Sequence, residues 1–269
     1  MNNILLITWI TYKDTIRNRA LHGIFLSSIF LFICNALVTE IFTWELGKVA
    51  VDVSLSIISL TGLLFIFFLA INNMARDITE KKLYLILSKP IERSQYILGK
   101  YFGFTLVLLL SSTLIGIASA ITVKLIFLAY PAYQAPNFSW ATYLISLIFL
   151  AISLQITLSF SLFWITVTTH PYMAMLFSLT TYFIGNSLET TKLILTNEDI
   201  FRQNTMLLWL MKSVSWIFPN LKSFDLKITA AHGLGINWLH LLLLGGYGTS
   251  YIALILFFSV LVFNRRELG

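Results

Sequence analysis

Charge is scarce in this chain: Asp, Glu, Lys and Arg make up 11% of its 269 residues, where a soluble domain carries about 25%. So few charges cannot cover a water-facing surface, which excludes an ordinary soluble globule. Cysteine is scarcer still. Cys34 stands alone inside an apolar run, and one thiol makes neither an internal disulfide nor a thiolate metal cage. No Gly-x-x-x-x-Gly-Lys-Ser/Thr run occurs, so the chain has no P-loop of its own, and any ATP-driven process needs an ATPase on another polypeptide. Neither His-Glu-x-x-His nor Gly-x-Ser-x-Gly is present, so no catalytic residue is expected. His22, His170, His232 and His240 lack metal-type spacing with Cys, Asp or Glu. Met173, Met175, Met206 and Met211 read as apolar packing. No metal and no cofactor are expected.

What fills the chain is apolar: 58% of residues, with a mean hydropathy of +0.84. A helix rises about 1.5 Å per residue and the hydrocarbon core is roughly 30 Å thick, so a span needs about 20 apolar residues. Six stretches qualify: 20–39, 53–75, 101–123, 141–169, 171–188 and 238–263. The fifth is the shortest, and His170-Pro171 before it reads as a tight turn with Pro171 at a helix start. The expected fold is an all-α integral membrane protein, a single transmembrane domain over 1–269 with a six-helix bundle. Residues 1–19 form an interfacial helix, 20–188 hold five spans interrupted by a loop at 72–100, 189–237 lie outside, 238–263 cross again, and 264–269 form a tail. No small-residue cleavage site follows the first apolar run, so no cleaved signal peptide is expected.

The net charge of +6 and pI near 9.4 sit at span ends, which points to orientation and anionic lipid and away from nucleic acid. With the N-terminus inside, the inner segments hold Lys13, Arg17, Arg19, Arg76, Lys81, Lys82, Lys89, Arg93, Lys100, Arg265 and Arg266. The short outer loops hold Lys48, and Lys124 at the outer end of the third span is placed to snorkel. The asymmetry predicts both termini in the cytoplasm. The five basic residues after the fifth span lie on a long segment, which weighs little in that rule.

Three stretches outside the spans carry information. In 4–19, Leu5, Trp9, Tyr12 and Ile16 share one helical face, while Lys13 and Arg17 share another with Asp14 and Asn18 beside them. That pattern suits an amphipathic helix lying in the inner interface, with Trp9 and Tyr12 at headgroup level. In the loop 72–100, residues 79–87 are compatible with helix, Pro90 ends it, and a second helix starts near Ile91 and runs into the third span. The apolar run Leu83-Tyr84-Leu85-Ile86-Leu87 needs a membrane or a partner surface to cover it. Residues 189–237 contain the apolar runs 206–210 and Trp216-Ile217-Phe218-Pro219, which predict short helices on or dipping into the outer leaflet, broken at Pro219.

The loop residues Glu80, Leu83 to Leu87, Ser88, Pro90-Ile91, Arg93, Tyr96, Gly99 and Lys100 resemble the corresponding loop of type 2 ABC transporter permeases. The N-terminal stretch with Trp9, Lys13-Asp14, Arg17 and Arg19 is similar to that family's elbow helix. Phe218-Pro219-Asn220-Leu221 with Phe224-Asp225 resembles the branch that includes the permease of the nitrous-oxide-reductase copper-site maturation system. Lys82 stands where many members have Gly or Thr, which places the chain in a divergent branch. The resemblance covers the whole six-span plan. It implies a multi-pass subunit of a bacterial plasma (inner) membrane, without an ATPase site, that pairs with a second permease copy and two ABC ATPase subunits and exports a substrate. It assigns Glu80, Leu83, Tyr84, Leu85, Leu87, Pro90 and Arg93 to ATPase coupling. The other expectations are a membrane anchor or assembly factor that uses an ATPase, and an ATP-independent channel or carrier. Inside the spans, Gln155 near the middle of the fourth, with Ser153 and Thr157 beside it, reads either as a translocation path or as interhelical hydrogen bonding. Ser112, Gly116 and Ala120, and Gly245, Thr249 and Ala253, are small-residue stripes suited to close helix packing.

Overall fold

Long apolar runs satisfy their backbone polar groups within a bilayer by forming helix, and these runs do so. The computed structural model describes residues 3–41, 46–79, 91–133, 137–168, 170–197, 209 and 213–265, and no strand occurs among them. Helix α1 is Asn3–Ile16 and α2 is Arg19–Ile41. Helix α3 (Leu46–Leu64) passes through a π-helical segment, Phe65–Ala70, into α4 (Ile71–Thr79). Then come α5 (Arg93–Ala129), α6 (Trp140–Val167), α7 (Pro171–Asn197), the short α8 (Lys227–His232) and α9 (Trp238–Arg265).

Among the described residues, four rods are long and apolar enough to cross a membrane: Leu46–Asp77, α5, α6 and α9. Asn3–Ile16 and Leu21–Ile33 meet at 60° and make a fifth if they are one bent span. Helix α7 has the length, 27 residues, but Thr180, Thr181, Asn186 and Ser187 dilute its apolar run. The described residues are thus all-helical, with four to five candidate spans among them where composition suggested six. Its outer surface is compatible with a multi-pass membrane protein: Leu26, Phe30, Leu242 and Phe257 are each more than 60% exposed, and apolar surface on this scale needs something other than water against it.

Local chemistry sets the helix ends. Ser139 Oγ accepts a hydrogen bond from the Ala141 N–H and caps α6. Glu92 and Gln95 form a reciprocal capping box at the start of α5. Pro171 opens α7 directly after the turn at His170, as its fixed φ favours. Gly233 ends α8 at φ 63°, where a side chain would also collide with the Asn137 backbone.

Several expected boundaries move. The second span was expected to stop at 75, yet helix runs to Thr79, and after the loop helix begins at Arg93, close to the start expected near Ile91, and runs on into the third span. Both extensions are polar, and the polar contacts described below hold them. Helix α7 continues past 188 to Asn197 because no glycine or proline interrupts that stretch. After it, 213–217 is helical and the helix breaks at Phe218-Pro219-Asn220, as the proline predicts. Leu221 and Phe224 are then buried, and the Leu221 N–H donates to Gly185 O of α7. Of the runs expected on the leaflet, 206–210 lies outside the described residues apart from Trp209, and Trp216 and Ile217 are 79% and 65% exposed, whereas the stretch after Pro219 is wedged among the helices. Gly185 makes room for it, since an added Cβ would lie 2.8 Å from Leu221 Cγ.

Helix α6 is largely enclosed, as is the Leu46–Asp77 rod, and the groups it turns inward are often hydroxyls: Ser146, Thr157, Ser159, Ser161 and Thr166 are buried. Where lipid is as apolar as leucine, small and hydroxylated residues go to helix interfaces and large apolar ones face outward.

Candidate functional site

The polar residues that flank the loop at 80–90 converge at one end of the bundle. Asp77 closes α4 before the loop, and Tyr96 and Lys100 lie in the first two turns of α5 after it. Lys100 Nζ sits 2.5 Å from Asp77 Oδ2, and both side chains are nearly enclosed, at 7% and 14% exposure. The same ammonium donates to Asn73 Oδ1 at 3.1 Å and lies 5.8 Å above the centre of the Phe104 ring. Tyr96 OH donates to Asp77 Oδ2 at 3.1 Å. Asn73 Nδ2 in turn donates to Asp14 Oδ2 of α1 at 2.9 Å. A buried ion pair gains little over apolar packing but is costly to break by removing one partner. The two flanks of the loop are therefore held together by an arrangement with few alternatives.

Two further elements are tied in at the same place. Arg93 Nη1 donates to Phe263 O and Asn264 O at 3.2 and 3.0 Å. Those carbonyls end α9, where a cation also meets the negative pole of the helix. Tyr96 stacks on Phe263 with ring centroids 5.9 Å apart. Helix α1 lies against the start of α5, with Asn3 Nδ2 donating to Gln95 Oε1 at 3.0 Å. Its buried face is Ile7, Thr8, Thr11 and Thr15. Gly99 and Gly103 of α5 allow that approach: an added Cβ would sit 2.6 Å from Ile7 Cβ and 2.6 Å from Thr11 Cβ.

The structure places the sequence candidates as follows. Glu80, Leu83, Tyr84, Leu85, Leu87 and Pro90 lie outside the described residues. Arg93 is described, and its guanidinium binds the last helix. Of the N-terminal set, Trp9 is exposed and stacks on Tyr12, Lys13, Arg17 and Arg19 are exposed, and Asp14 joins the polar junction through Asn73. Of the face picked out by large side chains, Leu5 and Trp9 are each 60% exposed while Tyr12 and Ile16 pack against the core, and it is the smaller threonine face that the glycine notch on α5 admits. Sequence reasoning named Tyr96, Gly99 and Lys100 without the ion pair. The Gly99-x-x-x-Gly103 spacing was the available signal for the α1 contact.

The three interior candidates do not form one path. Gln155 faces a lateral groove between α5 and α6, whereas Ser153 faces a separate cavity of about 40 Å³ bounded by Tyr182, Asn186 and Asp225. Thr157 Oγ1 donates to Ser153 O of its own helix, and Ser161 Oγ to Thr157 O. These two hydroxyls are satisfied within their own helix and make no interhelical bond among the described residues. At the lip of the smaller cavity Lys222 Nζ lies 2.8 Å from Asp225 Oδ2, and that hydrogen bond raises the lysine pKa above its ordinary value. Among the described residues no group of His, Cys, Asp and Glu is arranged to hold a metal ion. Neither protein-family models nor curated proteins yield a match to this chain.

Proposed function

We propose that this chain is the transmembrane permease subunit of an ATP-driven ABC exporter in a bacterial inner membrane. In this reading the spans number six, with Arg19–Ile41 and Pro171–Asn197 as the first and fifth, and α1 is an elbow helix in the inner interface. Both termini and the loop at 80–90 face the cytoplasm. A separate ATPase, present in two copies, binds the loop, and a second permease copy completes the transporter. The observation that carries the reading is the polar junction. The loop whose sequence resembles the family's springs from Asp77 on one side and Arg93, Tyr96 and Lys100 on the other, and those residues bind α1, α4, α5 and α9 to one another. A push on such a loop moves four helices together. Because the helix axis contains a π-helical segment just before α4, that motion has a place to be absorbed.

Two experiments test this. Replacing Tyr84 by Ala will cost on the order of 2 kcal/mol of ATPase binding, since hot spots favour aromatics in desolvated pockets. Leu85→Asp will abolish it. Both variants should insert normally, while the ATPase no longer co-purifies and membrane-stimulated ATP turnover falls. Full turnover in both variants removes the loop from coupling. For orientation, single cysteines at Asn3, Tyr84, Ala135, Asn197 and Gly269 in a Cys34→Ser background should be labelled from outside only at Ala135 and Asn197. Labelling at Tyr84 or Gly269 would invert the topology.

One observation favours an ATP-independent carrier instead. The segment around Pro219 brings Lys222, Asp225 and Lys227 in among the helices, and ionisable groups on irregular backbone mark carrier sites. Uptake or efflux by the purified chain in vesicles without any ATPase would support that reading against the first.

A further inference from the structure

We propose that the π-helical segment Phe65–Ala70 is a register switch that decides which face of α4 meets α5, with Asp77 opposite Lys100 in the observed register and Arg76 opposite Lys100 in a second one. The Ile71 N–H donates to Ile66 O, five residues back, so the segment holds one residue more than an α-helical path between the same ends. Phe65, Ile66, Phe67, Leu69 and Ala70 are buried, and within the segment Phe68 alone turns outward, at 51% exposure. Phe68 is the residue the core can spare.

The extra residue sets an angle. Successive residues of an α-helix turn by about 100°, so in an unbroken helix Asp77 would point about 100° away from Ile58, which is buried in the core. The wide turn takes that angle back. Asn73 and Asp77 come round to Lys100, while Asn72 and Arg76 stay on the exposed side. If the segment relaxes to α-helix, one flank has to rotate. Helix α3 has 19 residues and α4 has nine, so α4 is the flank that turns. Each of its residues then takes the place its successor holds now. Arg76 arrives opposite Lys100, Met74 enters the buried place of Ala75, and Ala75 moves out to the exposed place of Arg76. The two registers therefore set charges of opposite sign against the same ammonium. Attraction to Asp77 holds the first, and repulsion from Arg76 opposes the second. Two packed arrangements with a removable bias between them make a switch.

This deepens the reading of the loop at 80–90 as a lever, since a force applied beyond Thr79 would turn α4. Its test needs no ATPase, so either can fail alone. The full chain is placed in phosphatidylethanolamine and phosphatidylglycerol vesicles in a Cys34→Ser background. Single cysteines Ala75→Cys and Met74→Cys are labelled with N-ethylmaleimide, which crosses the bilayer. Lys100→Met removes both the attraction and the repulsion, so it should speed labelling at 75 on the order of tenfold or more. Met74→Cys should stay protected, because position 74 is buried in both registers. Deletion of Phe68 makes the rod one continuous α-helix with both flanks in their observed places, so the chain should fold and the labelling at 75 should be cancelled even with Lys100→Met. Equal labelling of 74 and 75 would mean local unfolding and overturn the proposal. No acceleration at 75, acceleration that survives the deletion, or a deletion variant without a cooperative helical melt would each overturn it as well.

Discussion

Replacing Lys100 by Met will destabilise the folded chain by about 3–5 kcal/mol, the cost of leaving one partner of a buried ion pair uncompensated. Asp77 is the group left behind. Its carboxylate is 14% exposed and receives Tyr96 OH as its remaining donor. The loss is not a matter of volume, since methionine fills nearly the space of the lysine stem beside Phe104. The double variant Asp77→Asn with Lys100→Met should therefore recover most of the stability, because no unpaired charge remains. Thermal unfolding in detergent, followed by helical circular dichroism, measures both. If the single variant matches wild type, the ion pair is not formed in the folded protein. If the double variant is no better than the single, the cost lies in packing and not in charge. The loop flanks would loosen in the single variant, so cleavage within residues 80–90 by a site-specific protease should also accelerate.

The second large effect is steric. Gly103→Val will expel α1 from α5. The first added carbon would already lie 2.6 Å from Thr11 Cβ and 3.0 Å from Thr8 O, and the latter is backbone that cannot swing aside. Overpacking of this kind typically costs about 1–3 kcal/mol. Helix α1 is held by that face, by one hydrogen bond from Thr8 to Gly99 O and by the Asn3–Gln95 and Asp14–Asn73 contacts. Amide exchange over 3–16 and tryptic cleavage after Lys13 should both speed up while the spans remain protected. Gly245→Ala is the matched control, because nothing lies within 4 Å of its added Cβ, and it should leave α1 unchanged. Equal protection of α1 in Gly103→Val would mean that this helix does not dock as described.

Both predictions rest on contacts between residues far apart in the chain, and this is where sequence stops being informative. By itself the sequence determined that the chain is helical and apolar, since scarce charge and runs of about 20 apolar residues leave no other way to satisfy the backbone in a bilayer. It also determined the turn at His170-Pro171, the helix start after Pro90 and the break at Pro219, because proline acts on its own neighbours. Small-residue spacing on α5 was legible as a packing signal, though not which stripe meets which helix. Only the tertiary structure decided that Lys100 pairs with Asp77 and that Arg93 binds the end of α9, since a charge near a span end looks the same to a residue count whether it orients the protein or closes a network. Only the tertiary structure separated Gln155 from Ser153, two residues apart and therefore about 200° around the helix. And only it chose the threonine face of α1 over the bulkier one, because that choice belongs to the glycine notch of α5, some ninety residues away in the chain, and not to the sequence of α1.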